Sequence, residues 1–258
     1  MKYILLSATI LFTLSSNLLL AQNTHFTQNG TITFEKTINM YAVFQKLITK
    51  DNESFLQPAF ESFKKSQKQF KVLKSTLTFT NNKTLFTPIE PETASGGFFG
   101  GGPLANQVNT VFTDLNTSTS ITQKNIFDDL FLVKDSTRKI KWKITGETRD
   151  IAGYTCRRAN GLILDSIYVV AFYSDVIPVA GGPESFNGLP GMILGVALPH
   201  ENVTWFATKV TDTPIEDKAL TPPKKGKPVN SKELHDKLVS VMKDWDSQGP
   251  LYLKAFSL

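Results

Sequence analysis

The chain has 258 residues, of which 41% are hydrophobic and 20% charged, with a formal net charge of +5. That length suffices for a sizeable core, since proteins of this size bury roughly 70% of the unfolded chain's surface, and the single cysteine, Cys156, excludes an internal disulfide as its support. The positive charge is dispersed rather than interleaved with aromatics along a stripe, which argues against nucleic-acid binding, and His25, His200 and His235 are too scattered to make a metal-ligand pattern with Cys156.

The amino terminus predicts export. Lys2 supplies a positive n-region, Ile4 to Leu20 is apolar apart from Ser, Thr and Asn, and Ala21 stands before Gln22 as a small residue at a cleavage position. The expected division is a signal peptide over residues 1–21 and one domain over 22–258, located in the periplasm or associated with the outer membrane. A retained anchor is the competing reading, because the run approaches the roughly 20 residues that span a bilayer. With no cysteine near the cleavage position, the chain is not expected to be a lipoprotein.

The opening segment "GTITFEKTIN" alternates Ile32, Phe34 and Ile38 with polar residues, as a half-buried strand does. From Tyr41 to Thr49 and from Glu53 to Lys71 the apolar spacing becomes helical, with Phe44, Leu47, Leu56, Phe60, Phe63 and Phe70 on it, and Pro58 is expected in a first turn. "STLTFTNNKTLFTP" predicts two strands joined at Asn81-Asn82. The run Gly96 to Pro103, "GGFFGGGP", lacks the Gly-Lys-Ser/Thr of a phosphate-binding loop and reads as a plain loop, with Phe98 and Phe99 either tucked in or exposed. Strand signals then crowd from Gln107 to Leu162, with turns predicted at Asp135-Ser136 and Asn160-Gly161. Cys156, following Ile151 and Tyr154, is expected to be a buried free thiol. "SIYVVAFYSD" predicts a further strand, extended over Ile177 to Ala180.

Gly181 to Gly191 carries four glycines and two prolines, residue types that turn a chain or let another backbone approach closely. Met192 to Ala197 is then continuously apolar, as in a strand covered on both faces. Val203, Trp205 and Ala207 alternate beyond it, which makes Leu198 to Asn202 a hairpin connection. "TPPKKGKPVN", with Lys224, Lys225 and Lys227, reads as a solvated linker. Asn230 and Glu233 form a capping pair before a helix with Leu234, Leu238, Val241, Met242 and Trp245 on one face, His235 on its surface or rim, and a stop at Gln248-Gly249-Pro250. "LYLKAF" is expected to return as a last strand. Many strands with short polar connections give an α+β fold that is mostly antiparallel β, a curved sheet or half-barrel with helices packed on one face.

Three blocks, "KWKITGETRDIAGYTCRRA", "VVAFYSDVIPVAGGPESFNGLPGMIL" and "WFATKV", resemble the hallmark blocks of the GLPGLI family, exported proteins of Gram-negative bacteria named for the motif that here reads Gly188-Leu189-Pro190-Gly191-Met192-Ile193. The likeness spans roughly Trp142 to Val210. It implies a fold similar in outline to the antiparallel half-barrels that carry lipids or lipoproteins across the periplasm, and it brings no established reaction, cofactor or catalytic residue. Phe172 stands where the family usually has Trp, and Pro199-His200-Glu201-Asn202 departs from the loop of close relatives, so no role passes to His200.

The expected function is that of a non-catalytic envelope protein binding an apolar ligand or an outer-membrane partner, without cofactor, metal or nucleic acid. Its candidate binding rim is Gly188, Leu189, Pro190, Gly191 and Met192 with Phe172 and Trp205. The rival reading is a hydrolase in which Asp175, Glu184, His200 and Glu201 bracket the glycine loop for general acid-base work, although no Gly-x-Ser-x-Gly nucleophile motif is present. A metal-handling role for His200 and Glu201 ranks below both, because neighbouring residues on an extended strand face opposite ways.

Overall fold

A computed structural model describes residues 27–89, 102–127, 129–245 and 248–258, and within them twelve strands join into one open sheet. Residues 1–21, expected to be a signal peptide, and the glycine-rich residues 96–101, with Phe98 and Phe99, lie outside the described residues. The first half of the chain supplies β1 (Gly30–Asn39), β2 (Phe70–Phe79), β3 (Lys83–Ile89), β4 (Asn109–Asp114), β5 (Thr119–Ile126) and β6 (Asp129–Ser136). The second supplies β7 (Lys143–Ile151), β8 (Tyr154–Ile163), β9 (Ile167–Ser174), β10 (Met192–Leu198), β11 (Val203–Asp212) and the short β12 (Lys227–Val229). The order across the sheet is β12-β6-β5-β4-β3-β2-β1-β11-β10-β9-β8-β7. Two antiparallel meanders therefore meet along the β1–β11 pair, and only β12, against β6, runs parallel.

Helices α1 (Met40–Gln45), α2 (Glu53–Ser66), α3 (Gly102–Asn106), α4 (Ser231–Met242) and α5 (Gln248–Ser257) pack on one face of this sheet. Strict alternation on β1 sets that face: Ile32, Phe34, Lys36 and Ile38 are buried, while Thr31, Thr33, Glu35 and Thr37 are half-buried on the other. As expected, β10 is buried on both sides, through Met192, Ile193, Leu194, Val196 and Leu198. The apolar residues divide into a large core around β1, β2 and β8–β11 and a smaller one where Leu234, Leu238 and Met242 of α4 and Phe256 of α5 meet Phe131 and Val133 of β6.

Several local readings are corrected. The β7–β8 turn is Ala152-Gly153, both with positive φ (+50° and +85°), a two-residue loop whose twist suits a hairpin. Asn160-Gly161 lies inside β8, where a Cβ on Gly161 would meet Ile140 and Trp142 side chains at about 3 Å, so that glycine marks a close approach. Asp135-Ser136 ends β6. The helix from Glu53 stops at Ser66, and Phe70 and Lys71 begin β2. Pro58 sits in the second helical turn rather than the first, on the exposed side. Ile177 to Ala180 is irregular, and Lys227 belongs to β12 instead of a linker.

The capping box at Asn230 and Glu233 forms as expected, but Val241 and Trp245 face outward, 58% and 37% exposed. "LYLKAF" is helical in α5, and Gly249-Pro250 opens that helix rather than closing α4. Ala255 and Phe256 turn inward from α5 with Tyr252 and Leu253 half-buried beside them, a spacing that four alternating letters disguised as a strand.

Cys156 is fully buried on β8 and its Sγ donates to the Tyr154 carbonyl. Burial, helped by the negative charge of Asp150, pushes the thiol up to about 12. At pH 8 the folded protein should therefore resist a thiol reagent such as DTNB and release one equivalent of product only after denaturation; rapid native labelling would contradict the buried placement.

Candidate functional site

The glycine stretch is a stapled corner. Gly188 N–H donates to Ala180, Met192 N–H to Ile177 and Ile193 N–H to Gly181, at 2.9–3.0 Å. The Trp142 indole N–H donates to the Asn187 carbonyl at 2.9 Å. Leu189 and Met192 point into the main core, while Gly188 and Pro190 are exposed. Gly191, with φ of +151°, packs against the backbone of Ser174 and Asp175. The turning role expected of Gly181 to Gly191 is thus visible as hydrogen bonds and core contacts.

A cavity of roughly 590 Å³ lies at the seam between the two cores, bounded by β4–β6 on the sheet side and by α4 and α5 on the other. Its inner wall is buried and mixed: Val111, Val133, Leu234, Leu238 and Phe256 supply apolar surface, and Asn109, Lys124 and Glu184 supply polar groups. Its rim is exposed and polar, formed by Asp135, Ser136, Lys139, Ser231, Lys232 and His235. The glycine corner borders this cavity through Glu184 and Ser185. The predicted rim residues Gly188 to Met192, Phe172 and Trp205 do not line it, because the loop turns Leu189 and Met192 into the protein core instead.

Glu184 adopts a left-handed backbone (φ +50°), a conformation that is strained for a residue with a side chain and accumulates at functional sites. Its carboxylate accepts from Asn109 Nδ2 at 3.0 Å, and Gln107 in turn donates to Asn109 at 2.9 Å. Lys36 donates to the Gln107 carbonyl at 3.2 Å and stands 5.3 Å from the Trp205 ring, a cation–π contact. Lys124 donates to the Phe256 carbonyl at 2.7 Å. Burial pushes the Glu184 carboxyl above its ordinary range, opposed by the charges of Lys36 and Lys124 and by the Asn109 hydrogen bond. Burial also lowers both lysines, Lys124 to about 8, with the Glu184 charge opposing the shift in each case. The buried Trp205 Nε1 and Ser75 Oγ, neither with a well-formed hydrogen bond, border a small adjoining pocket beside Glu184.

The four residues of the hydrolase reading do not converge on one cavity among the described residues. Glu201 is buried in a turn after β10, ion-paired to Lys254 and to Lys46 at 3.7 Å, and borders a separate pocket of about 60 Å³ with Val43, Leu47 and Leu251. His200 and Asp175 are exposed. Only Glu184 opens on the large cavity. Phe172 lies on the opposite side of the sheet, stacked with Phe206 at 6.3 Å under the Arg149 guanidinium. Among the described residues no three His, Cys, Asp or Glu side chains come together to hold a metal, so His200 and Glu201 gain no third ligand.

Sequence reading passed over Lys36, Asn109, Lys124 and Arg138. The signal was present for the lysines: Lys36 falls on the inward row between Phe34 and Ile38, and Lys124 two residues before the buried Ile126.

Residues 162–195 match a family described as "Protein of unknown function (Porph_ging)". No curated protein matches the chain. Among solved structures, it is similar to PNGF-II in a C2 space group, with a TM-score of 0.51 and 14% identity over 81% of this chain and 32% of that one. The P21 form gives a TM-score of 0.50 and 15% identity, over 81% and 33%. These likenesses show the fold alone, a large open and mostly antiparallel sheet, and this chain spans about a third of the length of PNGF-II. No helix among the described residues is long and apolar enough to cross a membrane.

Proposed function

We propose that this chain is an exported, non-catalytic cell-envelope protein of the GLPGLI type that holds a ligand with an apolar body in the cavity between β4–β6 and helices α4 and α5. The observation that carries this reading is the cavity itself: about 590 Å³, within the range of small-molecule sites, with five buried apolar side chains and a few buried polar groups on its inner wall and a polar rim. A gap of that size between two apolar cores exposes surface that is unfavourable in water, and an apolar guest restores its contacts. The dispersal of Asp175, Glu184, His200 and Glu201 supports binding over hydrolysis. Export rests on Lys2, the apolar run and Ala21-Gln22.

The test is native mass spectrometry of the protein purified gently from its own envelope, followed by titration of the stripped protein with the neutral dye Nile red. A co-purifying apolar molecule that leaves on unfolding, with saturable Nile red binding at one site, is the expected result. A ligand-free protein that does not bind the dye would overturn the reading, and a stoichiometric membrane protein in its place would move the function to partner docking.

A further inference from the structure

We infer that the cavity selects a ligand with an anionic head group on its apolar chain, the head being held by Lys124 and Arg138; this rests on the ligand-binding reading above and names the ligand's class. Both cations border the cavity, and Lys124 is only 8% exposed. Their hydrogen-bond partners are all neutral. Lys124 donates to the Phe256 carbonyl, and Arg138 donates through Nε to Ser185 Oγ at 3.1 Å and through a terminal nitrogen to the Ser257 carbonyl at 2.7 Å. Among the described residues neither cation has a carboxylate within 4 Å. An ammonium has three donors and a guanidinium five, so both keep donors free for a guest.

Buried charges are ordinarily paired, because leaving one desolvated and unmatched is expensive. Among the described residues the buried side-chain carboxylate on the cavity's inner wall is Glu184, shared between Lys36 and Lys124 and tied to Asn109, while the Leu258 main-chain oxygen, also at the cavity, accepts from Ser185 Oγ at 3.4 Å. Two side-chain cations, Lys124 and Arg138, line the cavity beside that carboxylate, and Lys36 approaches Glu184 from the small adjoining pocket. At the rim, Asp135 is engaged by the Ser136 and Ser231 backbone N–H groups, and Lys139 and Lys232, the latter ion-paired to Asp236, also line it. A carboxylate or phosphate placed between Lys124 and Arg138 completes the unmatched charges, while Val133, Leu234, Leu238 and Phe256 enclose an acyl chain. A neutral head leaves the cations as they are, and a cationic head adds repulsion.

The test uses the full chain loaded with Nile red and challenged with three guests of equal chain length: laurate, lauryl phosphate and 1-dodecanol. The anionic guests should displace the dye about ten-fold more tightly than the alcohol, as charge-assisted hydrogen bonds imply. That preference should fall to within about two-fold in Arg138→Met and Lys124→Met, each checked for unchanged far-ultraviolet circular dichroism. Arg138 is only partly buried, so its variant keeps the test valid if the Lys124 variant folds poorly. Tighter binding of laurate or of lauryl phosphate identifies the head as carboxylate or phosphate, and either supports the inference. Binding of both laurate and lauryl phosphate no tighter than dodecanol, or a preference that survives Arg138→Met, overturns the head-group assignment and leaves the apolar cavity standing. Failure of Nile red itself to bind instead defeats the ligand-binding reading.

Discussion

Replacing Gly191 with alanine is expected to remove more than about 4 kcal/mol of stability and to leave little folded protein, which places it among the rare severe substitutions. A Cβ there would lie 2.3 Å from the Ser174 carbonyl oxygen and 2.9 Å from Asp175 Cα. Those are backbone atoms at the end of β9, where Ser174 pairs with Met192 at the start of β10, so relief requires the two strands to part. Gly188 provides the contrast. It also has positive φ, +89°, but the nearest atom to an added Cβ is Trp142 Nε1 at 3.8 Å. Its alanine variant should therefore lose only the conformational strain, about 1–3 kcal/mol. Urea unfolding of the two variants measures the difference, and a Gly191→Ala protein within about 1 kcal/mol of the parent would refute the tight-corner account.

The second large effect is expected at Lys36. Lys36→Met should cost about 3 kcal/mol at pH 7, since removing one member of a buried charge cluster strands the others. Of the two lysine charges Glu184 would then keep only Lys124, beside its hydrogen bond from Asn109. The loss should depend on pH. Glu184 has its carboxyl raised above 4.5 in the fold, so the folded state binds that proton more tightly than the unfolded one. Its favourable contribution is complete below 4.5 and is lost as pH rises through the folded value. Lys36 is the largest charge opposing that rise, so its removal enlarges the penalty at neutral pH and matters least when Glu184 is protonated. Unfolding midpoints at pH 4.5 and 7 should show the gap between parent and variant widening with pH, and the double variant Lys36→Met/Glu184→Gln should recover most of the loss. A gap that is the same at both pH values would mean that Lys36 contributes packing alone.

The contrast between these positions shows what a single chain discloses. Alternation made β1, β10 and β11 readable, because each buries one row, or in β10 both, against the same core. The Asn230–Glu233 box was readable because capping is a contact of three residues' range. The hairpin at Ala152-Gly153 was half visible through its glycine, but the Ala at φ +50° carries no letter that announces it. The cavity lay beyond reach: it exists because α4 and α5 stack on β4–β6, and whether Lys124 and Arg138 meet there is decided by contacts between residues more than a hundred positions apart. The glycines beside Glu184 mark it in the sequence; Asn109, Lys36 and Lys124, which surround its carboxylate, lie far from it along the chain.

The meeting of the two meanders along β1 and β11 also governs the order in which the molecule can be assembled. Ile38 pairs with Val203 and Thr31 with Thr211, so the central seam joins segments more than 160 residues apart, whereas nearly every other strand pair links neighbours in the chain. Closing so long a loop is slow, and local hairpins form well before it. Each meander can zip from its own turns, but β1 remains an unpaired edge with Ile32, Phe34 and Ile38 behind it until β11 has emerged. An edge of that kind invites pairing with another chain. The vulnerable species in biosynthesis is therefore the N-terminal six-strand half, and a chain truncated before Val203 should aggregate where the full-length protein folds.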